Sequence, residues 1–81
     1  MSIFLSLPEL KKGQWGILER FIEGTTLTLR LRLQEAGITP GTSIQLVRSA
    51  PRKGPIQLKI GNAFLALRHQ EAQFLQVRPA Y

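Results

Sequence analysis

Ala36-Gly37-Ile38-Thr39-Pro40-Gly41-Thr42-Ser43-Ile44-Gln45-Leu46-Val47-Arg48-Ser49-Ala50-Pro51 is the run that decides the fold. Gly37 tolerates a positive φ, so it can stand just past the last turn of a helix. Pro40 cannot continue that helix, and Pro40-Gly41 suits a tight turn with Pro at its second position and Gly at its third. Ile44-Gln45-Leu46-Val47 is a short β-rich apolar run bounded by Ser49-Ala50-Pro51, and it reads as a strand. The chain therefore leaves one element, turns sharply and enters a sheet. Many small α+β domains contain such a corner.

Working outward, Ile56-Gln57-Leu58-Lys59-Ile60 alternates cleanly, as a strand with one buried face does. Ala50 to Pro55, with two prolines and a glycine, is the loop joining it to the strand Ser43–Ser49. The pair makes a hairpin with Arg52 and Lys53 at its tip. Gly61-Asn62 signals a second, two-residue hairpin into a return strand ending at Leu67. Arg68 to Ala72 is polar and reads as a single 3₁₀ turn, and Phe74 to Val77 as the last strand. Arg78 to Tyr81 is expected to fray.

Toward the N-terminus, Ser6-Leu7-Pro8-Glu9 has capping-box spacing and Pro in a first turn, so a single helical turn is expected there. Leu7 and Leu10 would point to the core. Trp15 to Ile22 is the first strand. Its apolar residues exceed one buried face, so both faces are partly covered or a bulge lies near Gly16. Trp15 reads as a lid on a small core, with a partner anchor as the other reading. Expected core positions are Ile44, Leu46, Leu58, Ile60, Leu65 and Phe74. Leu27 to Leu33 is ambiguous. Strict alternation favours a strand with four leucines on one face. Propensity from Leu29 to Ala36 favours a helix, with Thr25 or Thr26 as N-cap, but one buried on two sides.

Composition narrows the function. Eighty-one residues suit one domain with a small core, spanning 1–81 with its body at about 7–77. Cysteine is absent, which excludes disulfides and thiolate metal sites. No apolar run approaches the ~20 residues that span a bilayer, and no secretory signal is visible, so a cytoplasmic location is expected. Eleven Lys or Arg against five Glu and no Asp give a net charge of +6. That balance suits an acidic protein surface, nucleic acid or the inner leaflet of a membrane, although the cations are scattered and also serve solubility.

No catalytic constellation is present. The one histidine, His69, has no nucleophile–base partner in the pattern, and the five glutamates lie far apart. His69 and Glu71 alone do not make a metal site, which needs about four ligands when closed. No cofactor loop is present either. The expectation is therefore no enzyme, no cofactor and no metal residue.

Two blocks carry a resemblance. Arg32-Leu33-Gln34-Glu35-Ala36-Gly37-Ile38-Thr39-Pro40-Gly41 with Val47-Arg48-Ser49-Ala50-Pro51, and Leu65-Ala66-Leu67-Arg68-His69-Gln70-Glu71-Ala72, resemble in order the two signatures of FeoA-type ferrous-iron-transport accessory proteins. The likeness runs from about Leu7 to Val77. About five short strands in close succession with tight turns indicate a small barrel. The resemblance implies that it is a small SH3-like β-barrel, mainly β with one short helix at Leu27 to Ala36, which decides the ambiguous stretch. It also implies a partner, the large membrane ferrous-iron transporter with a cytosolic G domain, and carries an association with transition metal ion binding. Accessory proteins of iron uptake need not hold iron themselves. Related domains also close iron- and manganese-dependent repressors, but this chain has no room for a DNA-binding domain.

Two departures stand out. Ala36 replaces the family's usual leucine, and Gly54, after Arg52 and Lys53, stands where the family often has an aspartate. The contact residues expected from the tip and its surroundings are Arg48, Pro51, Arg52, Lys53, Pro55 and Arg68. Peripheral association with the membrane through the partner, and weak self-association, fit the same reading. The second reading is an SH3-like barrel that binds nucleic acid or another acidic partner. Trp15, Phe21, Phe64 and Phe74 read first as core, so a stacking platform and tight nucleic-acid binding are not expected.

Overall fold

The computed structural model describes residues 4–80. Six antiparallel strands form one sheet in the order β1-β6-β2-β3-β4-β5. They are β1 (Leu5–Ser6), β2 (Trp15–Phe21), β3 (Ser43–Ser49), β4 (Ile56–Ile60), β5 (Ala63–Leu67) and β6 (Leu75–Pro79). Helix α1 (Leu27–Glu35) joins β2 to β3, a 3₁₀ turn (Leu7–Glu9) follows β1, and a single turn of helix, α2 (His69–Ala72), precedes β6. The fold is SH3-like.

The corner is built as its residues dictate. Thr26 caps α1 by accepting the Leu29 N–H at 3.1 Å, satisfying one of the free donors of the first turn. At the other end Gly37 has φ +89°. Its N–H reaches Gln34 O at 3.0 Å and the Ile38 N–H reaches Leu33 O at 2.9 Å. That pair is the Schellman closure, and Leu33 and Ile38, the positions whose apolar contact usually accompanies it, are both buried in the core. Gly41, at φ +94°, takes the third position of a turn closed by Thr42 N–H to Thr39 O at 2.9 Å, which is a type II turn with Pro40 at its second position. The turn is tied to β2 by the Gly41 N–H on Leu18 O at 2.7 Å and the Leu18 N–H on Thr42 O at 2.9 Å.

The helix at Leu27 corrects one expectation about its environment. It is buried on one side only. Leu29 and Leu33 enter the core, while Leu27 and Leu31 are 67% and 48% exposed. Because 27 and 31 are one turn apart, opposite 29 and 33 at 3.6 residues per turn, the alternating leucines split between core and solvent.

The core gathers residues from nearly every element: Leu7, Leu10, Leu18, Leu29, Leu33, Ile38, Ile44, Leu46, Ile56, Leu58, Leu67, Ala72, Leu75 and Val77. Ile44, Leu46 and Leu58 are buried as expected. Ile60, Leu65 and Phe74 only pack against the core and are partly exposed. Phe64, read as core, is 59% exposed, because β5 is an edge strand and residue 64 points to its outer face. Trp15 is half-buried.

Three further corrections concern strand ends. Of the two readings of β2, the covered one holds, since residues on both of its faces are at least partly buried; its irregularity lies between Leu18 and Arg20, in the pairing with β6, not at Gly16. Gly16 has a different reason: a Cβ there would meet Leu10 Cδ1 and Val77 Cβ and Cγ2 at 3.2 Å, so a side chain fits only if these neighbours give by a few tenths of an ångström. The segment expected to fray belongs to β6 as far as Pro79. Arg78 and Pro79 pair with Ile17 and Gly16, and the Ala80 N–H reaches Trp15 O at 2.9 Å; Tyr81 lies outside the described residues. Residues 68–72 form an α turn in place of a 3₁₀ turn.

Candidate partner-binding surface

The β3–β4 hairpin sets the surface. Beyond the Ser49↔Ile56 pair, the Ala50 N–H reaches Pro55 O at 2.9 Å and the Gly54 N–H reaches Pro51 O at 3.2 Å. Pro51-Arg52-Lys53-Gly54 is thus a tight turn. Its two central residues have φ of 59° and 58°, both in the left-handed region, which is the signature of a type I′ turn. Asn-Gly is the favoured pair there, so Arg and Lys hold this backbone at a steric cost. A Cβ on Gly54 would sit 2.8 Å from Ala50 Cβ and 3.1 Å from Pro51 O, which fixes glycine at that corner.

Behind the tip, register brings chain-distant groups into one row. Arg48 is opposite Gln57, and Gln57 is opposite Ala66. Three shallow grooves meet at Pro55. One is lined by Arg48, Ala50, Pro55, Ile56, Gln57 and Ala66. Another holds Lys53, Gly54, Pro55, Arg68, His69 and Gln70. A third, of about 490 Å³, is lined by Arg32, Pro55, Ala66, Leu67, Arg68 and Glu71. Of the six residues singled out in the sequence, Arg48, Lys53, Pro55 and Arg68 therefore converge around Pro55, whereas Pro51 and Arg52 line none of these grooves and stand at the exposed tip.

Arg32 is the residue that sequence reading missed. It arrives from the exposed flank of α1, and its guanidinium Nη2 donates to Glu71 Oε2 at 2.9 Å. The other Glu71 oxygen accepts the Arg68 N–H at 3.0 Å. Burial alone would raise the Glu71 carboxyl, but the Arg68 N–H, the Arg32 hydrogen bond and the two guanidinium charges together hold it below its ordinary value. The only sequence signal for this link was the presence of opposite charges in the two signature blocks, and nothing in the spacing joined them.

The cations differ in how they are engaged. Arg32 pairs with Glu71 and Arg78 with Glu19. Arg20 bonds Gln76. Arg30 and Lys59 lie over the Phe21 and Phe64 rings, at 5.7 and 5.9 Å. Among the described residues, Arg48, Arg52, Lys53 and Arg68 have no ion-pair partner. This surface sets unpaired positive charges around shallow grooves of mixed polar and apolar lining, of which the one between Arg48 and Ala66 is the mainly apolar one; such a surface suits carboxylates or phosphates. Among the described residues no three His, Cys, Asp or Glu side chains are grouped to hold a metal ion, and no helix is long and apolar enough to cross a membrane.

Comparison with known proteins places this geometry. The FeoA domain model matches residues 5–79. The fold superposes on a crystal structure of an iron uptake regulatory protein (FeoA) with a TM-score of 0.81 and 29% identity, covering 98% of this chain and 100% of the other. The iron(II) transport protein A from Clostridium thermocellum is 32% identical with a TM-score of 0.83, over 94% of this chain and 46% of that one. A manganese-dependent transcriptional repressor shares the fold at a TM-score of 0.87 and 18% identity, over 99% of this chain and 44% of its own. No curated protein matches the sequence. These relationships support an accessory role in ferrous iron transport. The corner at Gly37, the strand order and the family match over 5–79 together mean that the chain belongs to the FeoA domain family.

Proposed function

We propose that this chain is a non-enzymatic adaptor of ferrous iron uptake that binds the cytosolic G-domain region of the membrane ferrous-iron transporter. The observation that carries the reading is the unpaired charge of Arg48, Arg52, Lys53 and Arg68 beside the Pro55 grooves. An acidic patch on the partner would be steered to the tip by these charges, while Pro51 and Pro55 supply short-range apolar contact. Such a protein would work in the cytoplasm, at the inner face of the membrane through its partner. The test is direct binding of the purified protein to the transporter's isolated cytosolic region, with heparin and duplex DNA as competing anions. Saturable binding that survives both competitors supports the adaptor. Sub-micromolar, salt-sensitive binding to the nucleic acid itself would replace it with the second reading, for which Phe4 and Phe64 are the exposed phenylalanine rings among the described residues.

A further inference from the structure

β5 ends the strand order and pairs with β4 alone. Gly61 has φ +58°, so Gly61-Asn62 is a two-residue hairpin turn of the type with glycine first. In such a hairpin the flanking residues, Ile60 and Ala63, exchange hydrogen bonds, and the antiparallel alternation then turns the N–H and C=O of Phe64 and Ala66 away from β4. The side chains of the same two residues are exposed. Proteins usually protect such an edge with charge, proline, a bulge or shortness. Ala63-Phe64-Leu65-Ala66-Leu67 has none of these: five uncharged residues run in continuous register from Ile60↔Ala63 to Ile56↔Leu67. The opposite edge, β1, has only two residues.

The charge around this edge selects its occupant. Lys59 lies over the Phe64 ring, and Ala66 shares its grooves with Arg48, Arg32 and Arg68. The one acid there, Glu71, is already engaged by Arg32 and the Arg68 N–H. A second copy pairing through β5 would bring like charges together.

We infer that β5 is a docking edge for an extended, acidic peptide segment, which joins the sheet as an added strand bonded to the outward main chain of Phe64 and Ala66. Alternate side chains of that strand would place carboxylates by Lys59 and Arg48 on the outer face, and apolar groups by Leu65 on the inner face. The natural source of the segment is the partner proposed above, and only that identity rests on the earlier reading.

The probe is a synthetic, end-blocked hexapeptide alternating glutamate and valine, titrated into isotope-labelled protein and followed by amide NMR at physiological salt. Shifts centred on residues 63–68 and slowed hydrogen exchange at Phe64 and Ala66 are expected. Ala66→Pro removes an N–H that does not serve β4, so it should bind the peptide on the order of ten-fold more weakly with an unchanged melting temperature. Ala66→Glu keeps the N–H at an exposed site and should weaken binding through like charge if the proline variant folds poorly. A lysine–valine peptide should bind at least about ten-fold more weakly. Shifts that leave Phe64 and Ala66 unmoved, equal affinity for the two peptides, or self-pairing of β5 without peptide would overturn the inference. Arg52→Glu with Lys53→Glu should slow association with the transporter region yet leave the peptide's shifts on β5, so failure at the edge and failure at the tip are told apart.

Discussion

Replacing Arg52-Lys53 by Asn-Gly should make the protein more stable. Both positions hold φ near +60°, where an L-residue with a Cβ loses roughly 1–2 kcal/mol relative to its preferred region. Glycine at 53 removes that cost but adds about 0.5–1 kcal/mol of unfolded-chain entropy. Asparagine at 52 tolerates the left-handed region better than arginine and recovers part of its strain. The two side chains are exposed and make no ion pair among the described residues, so little is lost by removing them. The net gain is about 1 kcal/mol, which for a domain of this size raises Tm by roughly 4–8 °C. Thermal melts with matched urea titrations measure it, and the m-value should stay constant if only the native turn is relieved. An unchanged or lowered midpoint would refute the strained I′ turn, or reveal contacts of Arg52 and Lys53 that offset it. A gain would mean that these basic residues are kept at the tip against the preference of the fold, as a binding role requires.

Other expectations follow from the same structure. Leu58 is fully buried, and Leu58→Ala should cost about 2–5 kcal/mol; a denaturant-measured loss of only a few tenths would remove it from the core. At Gly37 a Cβ would meet nothing within 4 Å, so Gly37→Ala should cost about 1 kcal/mol through its positive φ alone, and an unaltered urea midpoint would contradict that backbone role. The Glu71 carboxyl lies below its ordinary value of 4.5. Its folded pKa is therefore the lower one, and its contribution to stability is complete above that ordinary value and lost as pH falls through the folded one. Arg32→Met should accordingly lower Tm near neutral pH, with the difference from the parent protein shrinking as pH drops below about 4; a difference that stays constant down to about pH 3 would show that Arg32 acts by packing alone.

Much of the fold was legible because its signals are local. Gly37, Pro40 and Gly41 fix backbone conformations that few other residues allow, and the strands Ser43–Ser49 and Ile56–Ile60 follow from period-two alternation bounded by turn residues. What was not legible depends on partners distant in the chain. β1 is two residues long and exists because β6 pairs with it. Arg78 and Pro79 are held by β2, which no tail composition announces. The leucines of α1 carry no mark of which pair faces the core, and both templates scored the same residues. The I′ geometry at Arg52-Lys53 also escaped notice, since neither residue type signals a positive φ. At the surface, the sequence singled out Arg48, Pro51, Arg52, Lys53, Pro55 and Arg68, but only strand register and the Arg32–Glu71 pair show that Arg48, Pro55 and Arg68 adjoin one another while Pro51 and Arg52 stand apart.

The most direct measurement of the adaptor reading is the association rate with the transporter's cytosolic region for the parent protein and for Arg52→Glu with Lys53→Glu, across a salt series. Exposed charges act mainly on the rate of encounter and are screened beyond ~8 Å at physiological salt. The charge-reversed protein should therefore associate more slowly at low salt, approach the parent rate as salt rises, and melt near the parent temperature. Equal rates for the two proteins at every salt concentration would contradict a partner contact at the hairpin tip.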